Sequence, residues 1–189
     1  GEAAFHAALR DLSAELTALA SSEQAHSTGE NAIIRRVLFA CTFNATRSPM
    51  AAGLLTYLQR GEIETSSVGV HHGERVDPDA VEVMDELGID ISRHRPLTLA
   101  DLESWGDDPG DYDVIVALSP AAQRHALELT RYTPIAVEYW PAQDVTQPLA
   151  VNPGGEASDK DRLERYRSVR DDLLARLKQR FGRPSGVTV

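Results

Sequence analysis

The sequence has one cysteine, Cys41, in 189 residues. A single thiol excludes an internal disulfide framework and any redox pair held within the chain. It fits a reducing compartment, and a cytoplasmic location is the expectation. Basic residues are in the minority: 19 Lys and Arg stand against 29 Asp and Glu, for a formal net charge of −10. That balance argues against a broad nucleic-acid surface, which needs clustered Lys and Arg. No apolar run approaches the ~18 residues of a membrane span. The N-terminus has no basic-then-apolar signal pattern. Internal repeats and low-complexity tracts are also missing. Nucleic acid and membrane are therefore not expected as partners. What is present is a chain that is 42% hydrophobic. Its length suits one domain with a real core, since about 100–200 residues per domain is usual.

Phe5, Leu9, Leu12, Leu16 and Leu19 recur at spacings of three and four, the stripe of an amphipathic helix. Ser21–Asn31 is small and polar, as linkers are. Residues 1–31 are therefore expected to form an N-terminal helix and linker, appended to a domain over residues 32–189. The stripe is expected to dock on the domain, a second copy or a partner protein.

From Ala32 onward, strand and helix patterns alternate. Ile33–Ala40, Glu64–Val70, Val114–Leu118 and Pro134–Tyr139 read as strands. The first ends in the continuous apolar run of a buried parallel strand. Ser48–Gln59 reads as a helix with Pro49 in its first turn, where a missing N–H costs nothing. Asp77-Pro78 and Ser119-Pro120 each pair an N-cap with a proline. They open helices that end near Gly88 and Thr130. A last helix spans Ser158–Phe181, with Leu163, Tyr166, Val169, Leu173, Leu177 and Phe181 on one stripe, and Gly182 and Pro184 after it. Such alternation implies βαβ units and a parallel sheet covered on both faces. Ligands of these sheets bind beyond the carboxyl ends of the strands.

The first strand-to-helix turn reads Cys41-Thr42-Phe43-Asn44-Ala45-Thr46-Arg47-Ser48-Pro49. A short loop at a helix N-terminus turns successive N–H groups inward as an anion nest, and the helix dipole adds positive charge. Arg47 can offer a bidentate fork to two oxygens of a tetrahedral oxyanion. Cys41 sits at the centre of the same nest. Thiols at helix N-termini ionise more readily than free ones, so the loop aims a thiolate at the anion it holds.

On this motif, Cys-x5-Arg-Ser followed by Pro49-Met50-Ala51, the sequence resembles the low-molecular-weight protein tyrosine phosphatase family. The superfamily also holds arsenate reductases, and the resemblance covers about Arg36 to Phe181. It implies a three-layer α/β/α fold with a four-stranded parallel sheet, to which the N-terminal helix is an extension. It implies that Cys41 is a nucleophile forming a phosphocysteine, and that Arg47 clamps the transferring phosphoryl group. The phosphate-binding loop would comprise Thr42, Phe43, Asn44, Ala45, Thr46, Arg47 and Ser48. Asn44 matches an asparagine that holds the nest's unusual backbone, and Ser48 a hydroxyl bonded to the thiolate. Ser67 matches a supporting serine after the second strand, and His94 a histidine bracing the loop asparagine.

The family also uses an aspartate on a later loop as general acid. Asp144, after Trp140-Pro141-Ala142-Gln143, has that place. It would protonate the leaving oxygen and then activate water. Asp101, Asp107, Asp108 and Asp111 are weaker candidates, because their segment precedes the third strand. Three departures bear on substrate. Val145 replaces the proline that usually follows the acid. Val145-Thr146-Gln147 stand where family members often carry aromatics. Thr46 stands where many have a second cysteine. His71-His72-Gly73-Glu74-Arg75 is expected at the mouth of the site. Neither a metal nor another cofactor is expected, as no zinc-ligand spacing surrounds the paired histidines.

Phosphomonoester hydrolysis through Cys41 is the leading expectation, with a phosphorylated protein or small molecule as substrate. Arsenate reduction is the alternative. Val76–His94 and Tyr139–Asp144 look like arsenate-reductase members too. Versions coupled to thioredoxin relay oxidation through further cysteines, which this chain lacks. A version using an external low-molecular-weight thiol and a glutaredoxin-type partner needs one thiol only. A non-catalytic oxyanion-binding regulatory module is the third.

Overall fold

The apolar run after Arg36 becomes the central strand of a four-stranded sheet. The computed structural model describes residues 33–147 and 158–182. The helix and linker expected over 1–31 lie outside them, as does Pro184. The strands are β1 (Arg36–Cys41), β2 (Glu64–Gly69), β3 (Val114–Ala117) and β4 (Ala136–Tyr139). Their order is β2-β1-β3-β4, and every neighbouring pair is parallel. The chain leaves β1 for one neighbour and returns on its other side as β3. The carboxyl end of β1 is thus the switch point where such sheets open a crevice.

Side chains of β1 alternate between the two faces. Val37, Phe39 and Cys41 enter a core with Met50, Leu54, Met84, Leu173 and Leu177. These come from α1 (Arg47–Leu58), α2 (Pro78–Asp85) and the long C-terminal helix α5 (Asp159–Phe181). Leu38 and Ala40 enter the opposite core with Leu102, Ala122 and Ala126. Those belong to α3 (Leu99–Ser104) and α4 (Pro120–Leu129). The result is the expected three-layer α/β/α architecture.

Caps set the helix boundaries. The Asp77 carboxylate accepts from the Asp79 amide at 2.9 Å, and Ser119 Oγ from the Ala122 amide at 3.2 Å. Ser158 and Asp161 form a reciprocal capping box, satisfying two donors that the first turn would otherwise leave open. Strand β1 starts at Arg36 rather than Ile33 because the Asp113 carboxylate takes the amides of Arg35 and Arg36, at 2.7 and 2.9 Å. Helix α3 and a 3₁₀ turn at Pro109–Asp111 were not expected. Helix α3 is only six residues long, too short to show a period, and a Thr98/Asp101 capping box starts it. Among the described residues, no helix is long and apolar enough to cross a membrane.

Candidate active site

The loop between β1 and α1 is held open from outside. The Thr42 carbonyl accepts from the His71 amide, and the Ala45 carbonyl from the Asp77 amide, both at 2.9 Å. The Asn44 carbonyl accepts from His94 Nε2 at 2.9 Å. No peptide bond in the described residues is cis. In a trans peptide the N–H points opposite to the C=O. Each outward carbonyl therefore turns the next amide inward, at Phe43, Ala45 and Thr46. The Asn44 amide also points in, 3.3 Å from Cys41 Sγ. These amides form the nest that the sequence implied.

Asn44 is the keystone. Its φ is +54°, a region asparagine tolerates better than most residues. Its side chain has no solvent exposure and uses all of its bonding capacity. Nδ2 donates to Ser48 Oγ and Ser67 Oγ, each at 2.8 Å. Oδ1 accepts from the Leu97 amide at 2.8 Å and from His94 Nε2 at 3.1 Å. Both partners of Nε2 are carbonyl oxygens, so Nε2 carries the ring proton. Burial pushes the His94 pKa below its ordinary value, against its bond to the Asn44 carbonyl. The ring is neutral at pH 7 and acts as a fixed donor. Ser48 Oγ accepts from Asn44 and lies 3.0 Å from Cys41 Sγ and 3.4 Å from the Val68 carbonyl; toward a thiolate only the serine can donate.

Arg47 is 7% exposed and aimed by two bonds. Nη1 donates to the Ala142 carbonyl at 3.2 Å, and Nη2 to Thr42 Oγ1 at 3.3 Å. Those two contacts leave three of the five guanidinium N–H groups to meet an anion. Thr42 passes its proton to Ser119 Oγ at 3.1 Å.

Cys41, Phe43, Ala45, Thr46, Arg47, Asp144 and Thr146 line one cleft of about 300 Å³. Asp144 Oδ1 accepts both the amide and the hydroxyl of Thr146, at 3.1 and 2.6 Å. The Gln147 side chain also hydrogen-bonds the carboxylate. Partial burial opposes ionisation of Asp144, but the Thr146 bonds and the Arg47 charge outweigh it and hold its pKa below the ordinary aspartate value. Val145 is 3% exposed and belongs to the core of α1, α2 and α5. An apolar anchor thus fixes the position of Asp144 in the loop, where the resemblance implies proline.

The weaker acid candidates are engaged elsewhere. Asp101 caps α3, Asp107 binds Arg36 and Tyr112, Asp108 caps the 3₁₀ turn, and Asp111 lies 4.0 Å from Arg36. None of the four lines the cleft. The side chains of His71–Arg75 do not line the cleft itself. His71 instead leans on the half-exposed Phe43, with centroids 5.9 Å apart, and His72 pairs with Asp101 at 2.8 Å. Among the described residues, no three His, Cys, Asp or Glu side chains converge as metal ligands do.

Two glycines let the loop pack this way. A Cβ on Gly69 would lie 2.6 Å from the His71 carbonyl oxygen and 2.9 Å from the Asn44 amide, and one on Gly73 2.6 Å from the Phe43 carbonyl oxygen. Those neighbours are backbone and cannot swing aside. Gly69→Ala is expected to destabilise the fold by about 1–3 kcal/mol, measured by urea unfolding, and to weaken phosphate binding measured by calorimetry.

A parallel α/β sheet with a cysteine-centred loop and an arginine at its first helix defines a class of proteins shaped to receive a tetrahedral oxyanion. Within that class, residues 36–182 match the low molecular weight phosphotyrosine protein phosphatase family, and the chain belongs to it. It is 31% identical over 144 residues to the glutaredoxin arsenate reductase of Synechocystis sp., covering 76% of this chain and 94% of that protein. It is 30% identical over 145 residues to the protein-arginine-phosphatase of Geobacillus stearothermophilus, covering 73% of this chain and 88% of that protein. The crystal structure of the low molecular weight protein tyrosine phosphatase from T. tengcongensis superposes with a TM-score of 0.54. That pair is 28% identical, over 77% of this chain and 96% of the other.

Proposed function

We propose that the protein hydrolyses phosphomonoesters through a phosphocysteine on Cys41. The observation that carries this reading is the convergence of Cys41, Arg47 and Asp144 on one cleft. The Cys41 thiolate attacks phosphorus while the ester oxygen leaves with the proton from Asp144. The inward amides and Arg47 stabilise charge on the equatorial oxygens. Ser48 donates to the sulfur and makes it a better leaving group in the second step. There Asp144, now a carboxylate, takes a proton from water as the water attacks phosphorus. The S–P bond breaks, and phosphate and the thiolate are released. Protein groups supply every step, so the reaction calls on no cofactor. A catalytic thiol of this kind suits a reducing cytoplasm.

The second reading is arsenate reduction, which the likeness to a glutaredoxin arsenate reductase favours. Arsenate would condense on Cys41 with loss of water. An external low-molecular-weight thiol with a glutaredoxin-type partner would then supply the two electrons that take As(V) to As(III). Hydrolysis of an aryl phosphate is expected without any added thiol, with arsenate as a competitive inhibitor. The test compares that rate with arsenite formation, first with thioredoxin and its reductase, then with glutathione or mycothiol plus a glutaredoxin-type protein. Robust arsenite formation in the last mixture, with negligible ester hydrolysis, would reverse the order of the two readings. Phosphate binding with neither reaction would leave an oxyanion-binding regulatory module.

A further inference from the structure

Asp77 was legible as a helix cap, but its position exceeds that task. Its Oδ1 caps α2. Its amide donates to the Ala45 carbonyl at 2.9 Å. Its Oδ2 accepts two hydroxyls, Thr46 Oγ1 at 3.1 Å and Tyr166 at 2.6 Å. Ala45 and Thr46 line the cleft beside Cys41, whereas Tyr166 is 3% exposed in the core. One aspartate thus joins the oxyanion loop, the start of α2 and the first half of α5.

We infer that Asp77 and Tyr166 are positioning residues for the oxyanion loop, acting through the Ala45–Thr46 peptide. The inference rests on the phosphatase reading for its kinetic arm and on anion binding alone for its other arm. The Asp77 amide draws the Ala45 carbonyl outward, which turns the Thr46 amide into the nest. The Asp77 carboxylate takes the Thr46 hydroxyl proton, so Thr46 meets the anion with its amide and not with its hydroxyl. Tyr166 fixes where that carboxylate sits. Burial and the bond to Asp77 push the Tyr166 pKa well above its ordinary value, so the phenol stays a donor. A neighbouring ion pair, Arg162 to Asp79 at 2.7 Å, clamps α5 to the same end of α2. One residue before Tyr166, Arg165 Nη1 donates to the Gln147 carbonyl at 3.1 Å, just past Asp144. The nucleophile loop and the acid loop therefore hang on one turn of α5.

Tyr166→Phe removes one oxygen and keeps the ring in the core, and Thr46→Val removes one hydroxyl at constant shape. For each, the dissociation constant of inorganic phosphate is expected to rise about tenfold, with a matching fall in kcat/KM on an aryl phosphate, as for small displacements at a reacting centre. Thr46→Ser should restore both values. The double variant should be no worse than either single one, because both cut the same chain of contacts. A lowered thermal midpoint with unchanged phosphate affinity and kcat/KM would overturn the inference and leave Tyr166 a purely structural residue. Additive losses in the double variant would overturn it as well. Should the wild-type protein bind phosphate but hydrolyse no ester, the phosphatase reading fails, and the phosphate affinities alone decide the positioning role. Absence of phosphate binding in the wild type would overturn both.

Discussion

Cys41→Ser is expected to lose turnover of an aryl phosphate by roughly 10⁵-fold or more while still binding inorganic phosphate. The two halves of that result have separate causes. Turnover needs an ionised sulfur, and a serine hydroxyl in the same place stays protonated. Binding needs the inward amides of Phe43, Ala45 and Thr46 and the Arg47 fork, none of which the change touches. Serine also removes the repulsion between a thiolate and an incoming phosphate. Steady-state rates and phosphate calorimetry on the same preparation read the two halves. Turnover within tenfold of the wild type would mean that Cys41 is not the nucleophile. Loss of phosphate binding would mean that the sulfur holds the loop together.

Asp144→Asn is expected to lower kcat by about 10²–10⁴ on a phosphate ester with a poor leaving group, the usual contribution of a positioned acid. It should cost little on an ester whose leaving group departs without a proton. Asparagine still offers Thr146 an acceptor, so the loop geometry survives and only the proton is lost. The pH dependence has a defined sign. The Thr146 bonds and the Arg47 charge, working against burial, hold the Asp144 pKa low, so its acid form is scarce at neutral pH. The ratio of wild-type to Asp144→Asn activity on the poor leaving group should therefore grow as pH falls from 7 toward the carboxylate range. A ratio that stays flat with pH, or equal losses on both esters, would reduce Asp144 to a shaping role.

The sequence signals that proved legible were short-range. The apolar run of β1, the Asp-Pro and Ser-Pro helix starts, and the Cys41-to-Arg47 spacing can each be read within about ten residues. Element boundaries shifted where a distant side chain intervened, as Asp113 does at the amides of Arg35 and Arg36. Helix α3 was missed because six residues cannot display a 3.6-residue period, although its Thr98-x-x-Asp101 box was visible. The family resemblance supplied Ser67 and His94, and the structure brings both onto Asn44. The second task of Asp77 had no local signal. Its partner hydroxyls lie 31 and 89 residues away along the chain, and only the closed fold brings them together. The His71-His72 pair is conspicuous in sequence, but its rings turn to Phe43 and Asp101.

The outward grip on the loop's carbonyls has a consequence for how this site can diversify. The cup is held by main-chain atoms of residues 42, 44 and 45, fastened to β2's exit, to His94 and to Asp77. The side chains of Phe43 and Ala45 take no part in that fastening, yet both line the cleft. On the phosphatase reading, anion capture and leaving-group choice would thereby fall to different parts of the same residues, one to the backbone and one to the side chains. A lineage can exchange the walls at 43 and 45 without reopening the problem of building a nest. Relatives named for tyrosine phosphate, arginine phosphate and arsenate are what such a separable design would leave behind.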